Sequence, residues 1–423
     1  MGETQEVKGK HQQMLELLDE ISISGKALGI ILQNTEDEQL DGRTVQVNGK
    51  KLINFTNCSY LGLELDPRMI AGCIEATTRY GTQFASSRSY LSVTLYKEIE
   101  EQLAKIFKLP TALSQTTSLG HISNIPILVG DRDAVIMDIS VHATVQEAVS
   151  LLVERGITIE RIRHNRMDIL EDRIKELSLT HEKIWYMADG VYSMFGDCAP
   201  LDELKMLMDT HEQFYLYIDD AHGMSWAGEN GAGYVYSKMP YHPKMYFTTS
   251  LAKGFGAAGG VLAFPDDTAF RRVHDFGRTF IFSTQLAPPM LGAIRASAKI
   301  HLSGEILLMQ SQLHEKIKFF NQKARLLELP LLSDGITPVR FIGLGKPQVG
   351  YNMVTRLRNA GFYNSLCVYP SVSLNNTGIR IALTRHHTLE DIENLLNEIA
   401  LNLPIVLKEV GSSMTEINRF FKL

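Results

Sequence analysis

Thr248-Thr249-Ser250-Leu251-Ala252-Lys253-Gly254-Phe255-Gly256 and, upstream of it, Tyr215-Leu216-Tyr217-Ile218-Asp219-Asp220-Ala221-His222-Gly223 decide the reading of this chain. The first stretch ends an apolar, strand-like run in small hydroxyl residues, a lysine and glycines. The second ends an apolar run in two carboxylates and, three residues after the first of them, a histidine. A carboxylate at the end of a buried strand is costly unless it is paired. A pyridinium N–H would pair Asp219, and the amine of Lys253 would form a Schiff base with an aldehyde. Together the two stretches read as a site for pyridoxal 5'-phosphate.

Outward from these stretches, residues 65 to 290 alternate between two patterns. Helix-period segments run from Pro67 to Tyr80, Thr94 to Phe107, Thr144 to Glu154, Asp168 to Leu177 and Leu201 to Thr210. Short apolar runs separate them: Ala134 to Met137, Ile184 to Met187, Phe214 to Ile218, Met245 to Phe247 and Val261 to Phe264. Runs apolar on both faces suit strands of a mostly parallel sheet covered by helices, so the fold class is α/β. Ligands of such sheets bind beyond the carboxyl ends of the strands. His142, the loop from Asp189 to Ser193, Asp219 to His222, and Ser250 with Lys253 all fall there, each after a different run. That shared placement is the reason to assign them to one site.

Before this region, Gln12 to Ile23 reads as an amphipathic helix. Asn48-Gly49 between Thr44–Val47 and Leu52–Phe55 signals a hairpin. After it, Ala287 to Leu327 reads as one long helical region, and Pro404 to Leu423 as a terminal helix. The expected division is an N-terminal arm over 1–60, a large domain over 61–295 and a smaller C-terminal domain over 296–423. The net charge of −6 offers no basic face for nucleic acid. Four scattered cysteines lack metal-ligand spacing and read as reduced thiols of a cytoplasmic protein, and no metal site is expected. The polar N-terminus has no signal core, Glu6 breaks the acylation pattern that Gly2 would begin, and no apolar run spans a bilayer.

Each candidate has a plainer alternative. Lys253 could be a surface lysine in a glycine-rich turn; Ser250 three residues before it and Gly254 and Gly256 after it favour the cofactor site. Asp219 could cap a helix or join a salt bridge, as Asp220 beside it is expected to. His222 could donate to a phenolic oxygen or be a packed core histidine. His142 could stack on an aromatic ring and move protons, or be structural. Ser193 could be an ordinary turn serine. Arg380 interrupts the apolar strand Thr377 to Leu383, where its fork suits either a substrate carboxylate or a buried Asp or Glu.

These residues resemble those of the α-oxoamine synthase family of fold-type I pyridoxal-phosphate enzymes, over residues 50 to 400. The most specific parts are Asp219 to Gly223, Ser250 to Gly256, Asp189 to Asp197, and Phe280 to Thr284 followed by Pro288-Pro289. The opening segment Asn57 to Leu63 is similar to the family's Asn-Asp-Tyr-Leu-Gly-Leu. The resemblance implies a mostly parallel seven-stranded sheet in the large domain. It makes Lys253 the Schiff-base lysine, Asp219 the pyridinium partner and His142 the stacking ring, with His222 and Ser193 near the phenolic oxygen. Ser250, Thr117 and Ser118 would hold phosphate. Ser283 and Thr284 would reach the phosphate of a neighbouring subunit in a homodimer. Arg380 would grip the carboxylate of the substrate, with Ser371 nearby. The implied reaction condenses an amino acid with an acyl thioester, from acyl-CoA or an acyl carrier protein, and carbon dioxide normally leaves afterwards.

The chain departs from the family in several places. The family's Ser-Gly-x-x-Ala-Asn loop is Thr116-Thr117-Ser118-Leu119-Gly120-His121 here, and its glycine-rich segment is the bulkier Gly81 to Arg88. Cys58 stands at an asparagine position, and Val368 at an arginine position. Two other functions stay open on these departures: another reaction of the same cofactor, such as transamination, and a non-catalytic homologue. Retention of Lys253, Asp219 and both histidines weighs against the second.

Overall fold

The computed structural model describes residues 9–239 and 241–422. Residues 1–8, with Gly2 and Glu6, and Leu423 of the expected terminal helix lie outside the described residues. The hairpin forms as read, with β1 (Thr44–Val47) antiparallel to β2 (Lys50–Asn54) and Val47 opposite Lys50. Its turn needs positive φ at two successive residues; Asn48 and Gly49 supply 51° and 71°.

The large sheet contains β3 (Thr111–Ser114), β4 (Ala134–Asp138), β5 (Thr158–Ile162), β6 (Ile184–Asp189), β7 (Phe214–Asp219), β8 (Met245–Ser250) and β9 (Gly260–Ala263), in the order β3-β9-β8-β7-β6-β4-β5. All neighbours are parallel except β9, which runs antiparallel to both β3 and β8. The pleat sorts side chains in alternation. Ile136, Tyr186, Leu216 and Phe247 enter one core, while Met137, Trp185, Tyr217 and Tyr246 enter the core on the opposite face. This two-faced burial is why the strands read as unbroken apolar runs.

The chain continues into β10 (Val339–Gly345), β11 (Phe362–Tyr363), β12 (Ser365–Cys367) and β13 (Thr377–Ala382). Strands β10, β13 and β12 form an antiparallel sheet, and β11 adds in parallel to β2, so the N-terminal hairpin joins C-terminal structure. In β13, Arg380 lies opposite Phe341, and Ile379 and Ile381 beside it join the buried apolar core.

Three expectations change. The region Ala287 to Leu327 is two helices, Pro288–Leu302 and Glu305–Leu326, parted at Ser303-Gly304, where Gly304 takes φ 84°. Pro404 does not open the terminal helix. It sits inside Leu389–Val410 on the exposed face, where water can hydrate the carbonyl it leaves unbonded. Gly411 at φ 64° then ends that helix, and the last one, Met414–Phe421, is capped by Ser413. Finally, the residues read as a phosphate loop also start a helix, Thr117–Leu128, whose Leu119 N–H is accepted by the Thr116 hydroxyl at 3.1 Å.

Candidate active site

The carboxyl ends of β4, β6, β7 and β8 open on one cavity of about 260 Å³. Its walls include Thr117, Ser118, His142, Asp189, Asp219, His222, Ser250 and Lys253. Of the residues expected to share a site, these seven named in the sequence as ligands come together with Asp189. The small residues Ala221, Ala252, Ala258 and Gly259 leave the space between them.

Asp219 ends β7 and is 4% exposed. Its Oδ1 accepts the Ala221 N–H at 2.9 Å, and His121 Nε2 lies 3.0 Å from its Oδ2. Burial alone would raise its pKa; the His121 hydrogen bond and the charge of Lys253 outweigh that and hold it below the usual carboxylate value. Asp189 is the register partner of Asp219 on β6. It shows the opposite behaviour: burial, then the charge of Asp219, pushes it well above the usual carboxylate range. Its Oδ1 accepts the backbone N–H of His142 at 3.1 Å, which fixes the start of the helix Ala143–Ser150.

Sequence reasoning missed the role of His121. The hydroxyl of Tyr217 receives hydrogen bonds from Thr248 Oγ1 (3.0 Å) and Asn124 Nδ2 (3.4 Å), so its own proton goes to His121 Nδ1 at 2.8 Å. That tautomer leaves the Nε2 proton for Asp219. The available signal was spacing, since position 121 is one helical turn beyond Thr117 and so shares its face.

Burial lowers the pKa of the Lys253 amine, with the charge of Asp219 opposing. Burial also lowers His142, whose Nδ1 lies 2.8 Å from Thr144 Oγ1, and lowers His222 strongly. His222 Nδ1 sits 2.6 Å from the Tyr60 hydroxyl, a partner from the opening segment 162 positions away. Asp220 is structural, as expected, but not as an ion pair: its Oδ2 accepts the Val235 N–H at 3.0 Å.

Five expected site residues lie outside the cavity walls. Ser283 and Thr284 line a small neighbouring cleft, where Ser283 Oγ donates to Gln115 Oε1 at 2.8 Å; Gln115 lines both spaces. Ser193 faces Arg380 through its carbonyl, which accepts from Nε at 2.7 Å. Ser371 is exposed. Arg380 itself is 7% exposed, and its second bond goes from Nη2 to Cys58 Sγ at 3.5 Å, so a carbonyl and a thiol stand where the alternative reading put a carboxylate. Among the described residues no cluster of His, Cys, Asp and Glu is placed to hold a metal ion, and no helix is long and apolar enough to cross a membrane.

Residues 50–399 match the family model for aminotransferase class I and II. The chain belongs to that family, within its α-oxoamine synthase group. It is 30% identical to 8-amino-7-oxononanoate synthase of Saccharophagus degradans over 380 residues, 88% of this chain and 92% of that one. It is also 30% identical to the enzyme of the same name from Symbiobacterium thermophilum, covering 84% of this chain and 89% of that one. A variant of serine palmitoyltransferase from S. paucimobilis with bound PLP–myriocin aldimine has the same fold, with a TM-score of 0.84, 21% identity, and coverage of 96% of this chain and 100% of that one.

Proposed function

We propose that this chain binds pyridoxal 5'-phosphate and condenses an amino acid with an acyl thioester to give an α-amino ketone. The observation that carries the reading is the convergence of Lys253, Asp219, His142 and His222 on one cavity from the ends of different strands. The donor set fits the cofactor. An ionised carboxylate at Asp219 matches a protonated ring nitrogen, and a buried amine of lowered pKa matches an aldehyde. Thr117 and Ser118, at the start of a helix, with Ser250, match a phosphate.

When bound, the cofactor supplies an electron sink for negative charge at the amino-acid α-carbon. The chain does the rest. Asp219 keeps a proton on the ring nitrogen, and the Tyr217–His121 relay keeps Asp219 ionised and oriented. Lys253 Nζ, desolvated and less basic than a surface lysine, takes and returns the α-proton. Asp189 fixes the main chain of His142, so that its ring closes one side of the cavity. His222, steered by Tyr60, donates toward the phenolic oxygen. Arg380 supplies the fork for the carboxylate of the amino acid.

A homodimer belongs to the same reading. Tyr90 (86% exposed), Leu91 and Phe282 (82% exposed) stand out beside Ser283 and Thr284. Gln285 Nε2 donates to the Leu91 carbonyl at 2.7 Å, which ties these segments into one apolar face. A second copy covering that face would receive Ser283 and Thr284 near its own phosphate site. The boundaries at residues 60 and 295 are also part of the proposal, supported by a large sheet that lies wholly between them. Four free cysteines accord with a cytoplasmic setting.

The test is release of free thiol from a panel of acyl-CoA and acyl carrier protein thioesters, with small amino acids as co-substrates. Amino-acid-dependent thiol release, lost in Lys253→Ala together with the cofactor absorbance, is expected. Cofactor binding with no thiol release across the panel would refute the acyl-transfer reading.

A further inference from the structure

The guanidinium of Arg380 is buried beside a thiol. Cys58 Sγ accepts from its Nη2 at 3.5 Å, and on the far side Nε is taken by the Ser193 carbonyl. The partner on this side is a thiol and not an amide. An amide keeps one charge at every working pH, whereas a thiol can ionise. The groups that face Cys58 come from three directions: Arg380 from β13, Lys253 from the loop after β8, and Tyr60 from its own loop. Tyr60 adds no charge, because burial raises its pKa well above the ordinary value and its hydroxyl is engaged with His222. Cys367 faces Arg380 from β12 and stays neutral, since burial pushes its thiol up to about 11. The surroundings of Cys58 are therefore cationic, and one buried guanidinium awaits an anion.

We propose that the Cys58 thiolate is the counter-ion of Arg380 in the free protein, and that an amino-acid carboxylate binds by displacing it. The charge balance is explicit. The carboxylate takes the guanidinium fork, the released thiolate takes one proton from solvent, and the pocket keeps the same net charge. Carboxylate binding then consumes a proton, so affinity falls as pH rises through the titration of Cys58. Burial alone would raise this thiol; the charge and hydrogen bond of Arg380 outweigh it and hold it below its usual value. The inference rests on reading Arg380 as the carboxylate site.

Propionate is a suitable probe, because it has a carboxylate and no amine to titrate. Its affinity is measured on protein saturated with pyridoxal phosphate, by the protection it gives Cys58 against iodoacetamide, with mass spectrometry locating the label. The thiolate displaces iodide and forms the S–C bond, so labelling reads the ionised form. Cys58 should label first, ahead of Cys198, whose thiol burial pushes up to about 12. In the wild type, propionate should bind about tenfold more weakly per pH unit above the labelling midpoint. In Cys58→Ser, with binding followed by calorimetry, that dependence should vanish while binding persists. An identical pH slope in Cys58→Ser overturns the proposal. So does equal protection of wild-type Cys58 at both ends of a range of about pH 6 to 9, a result that needs no variant to fold. Absence of propionate binding at every pH, in wild type and variant alike, would instead overturn the assignment of Arg380 and this inference with it.

Discussion

Replacing His121 by phenylalanine keeps a ring of similar size in a fully buried place and deletes both nitrogens. Asp219 Oδ2 then loses its 3.0 Å partner and keeps only the Ala221 N–H on Oδ1. Tyr217 loses the acceptor of its own proton while still receiving bonds from Thr248 and Asn124. A hydrogen bond to a charged group contributes about 1.5–3 kcal/mol, and one stranded neutral donor adds about 1 kcal/mol, so the expected loss is about 3 kcal/mol. Urea unfolding of cofactor-free protein measures it, followed by the fluorescence of Trp185 on the neighbouring strand β6. The pH dependence gives a second handle. The folded pKa of Asp219 lies below the unfolded one, so its stabilisation is complete above the unfolded value of about 3.9 and is lost as pH falls through the folded value. The gap between wild type and variant should thus hold steady from about pH 8 to 5 and close below about pH 4. A loss under about 1 kcal/mol at neutral pH, or a gap that widens toward acid, would refute the relay.

His164 bridges Asp138 (2.9 Å from Nδ1) and Asp197 (2.6 Å from Nε2), linking β4 to the loop that carries Ser193. Burial would lower its pKa, but the two carboxylates raise it from 6.5 to about 9. That change corresponds to roughly 3 kcal/mol, present in full below pH 6.5 and lost as pH rises through 9; thermal melts of His164→Gln should converge on wild type above that pH. Gly196 takes φ 70°, and a Cβ there would stand 2.1 Å from the Val339 carbonyl oxygen, so Gly196→Ala should destabilise by about 2–4 kcal/mol, read as a lowered melting temperature. Arg380→Ala should cut kcat/KM for the amino acid by about 100- to 1000-fold and leave the KM for the acyl thioester nearly unchanged; an equal loss toward both substrates would contradict its placement.

What the sequence made legible follows from how local each constraint is. Strands β4, β6, β7 and β8 were visible because each is buried on both faces, and their last residues reach the cavity by the geometry of a parallel sheet alone. Lys253, Asp219, His142 and His222 could be gathered for that reason. Strand β5 was not visible. It is the sheet edge, and its Thr158, Ile159, Glu160 and Arg161 are half-buried or exposed, which removes the apolar signature. Strand β3, Thr111-Ala112-Leu113-Ser114, is buried throughout but has a hydroxyl residue at each end, so it shows no apolar run. The break at Gly304 is marked in the sequence by a single glycine between two helical segments, and there the backbone turns at φ 84°. The partners of the site residues are harder still. Asp219 meets His121 across 98 positions, and Arg380 meets Cys58 across 322, and no local pattern announces either pair. In both cases the partner stands where the chain departs from the family pattern, at His121 for asparagine and at Cys58 for asparagine. An amide supplies hydrogen bonds without titrating, whereas imidazole and thiol supply them and can exchange a proton. Both departures touch the groups that carry charge in the proposed reaction, Asp219 at the ring nitrogen and Arg380 at the carboxylate. Each of these charged groups therefore owes its hydrogen bond to a partner that only the folded chain brings to it, which is why local sequence could place the groups and not their partners.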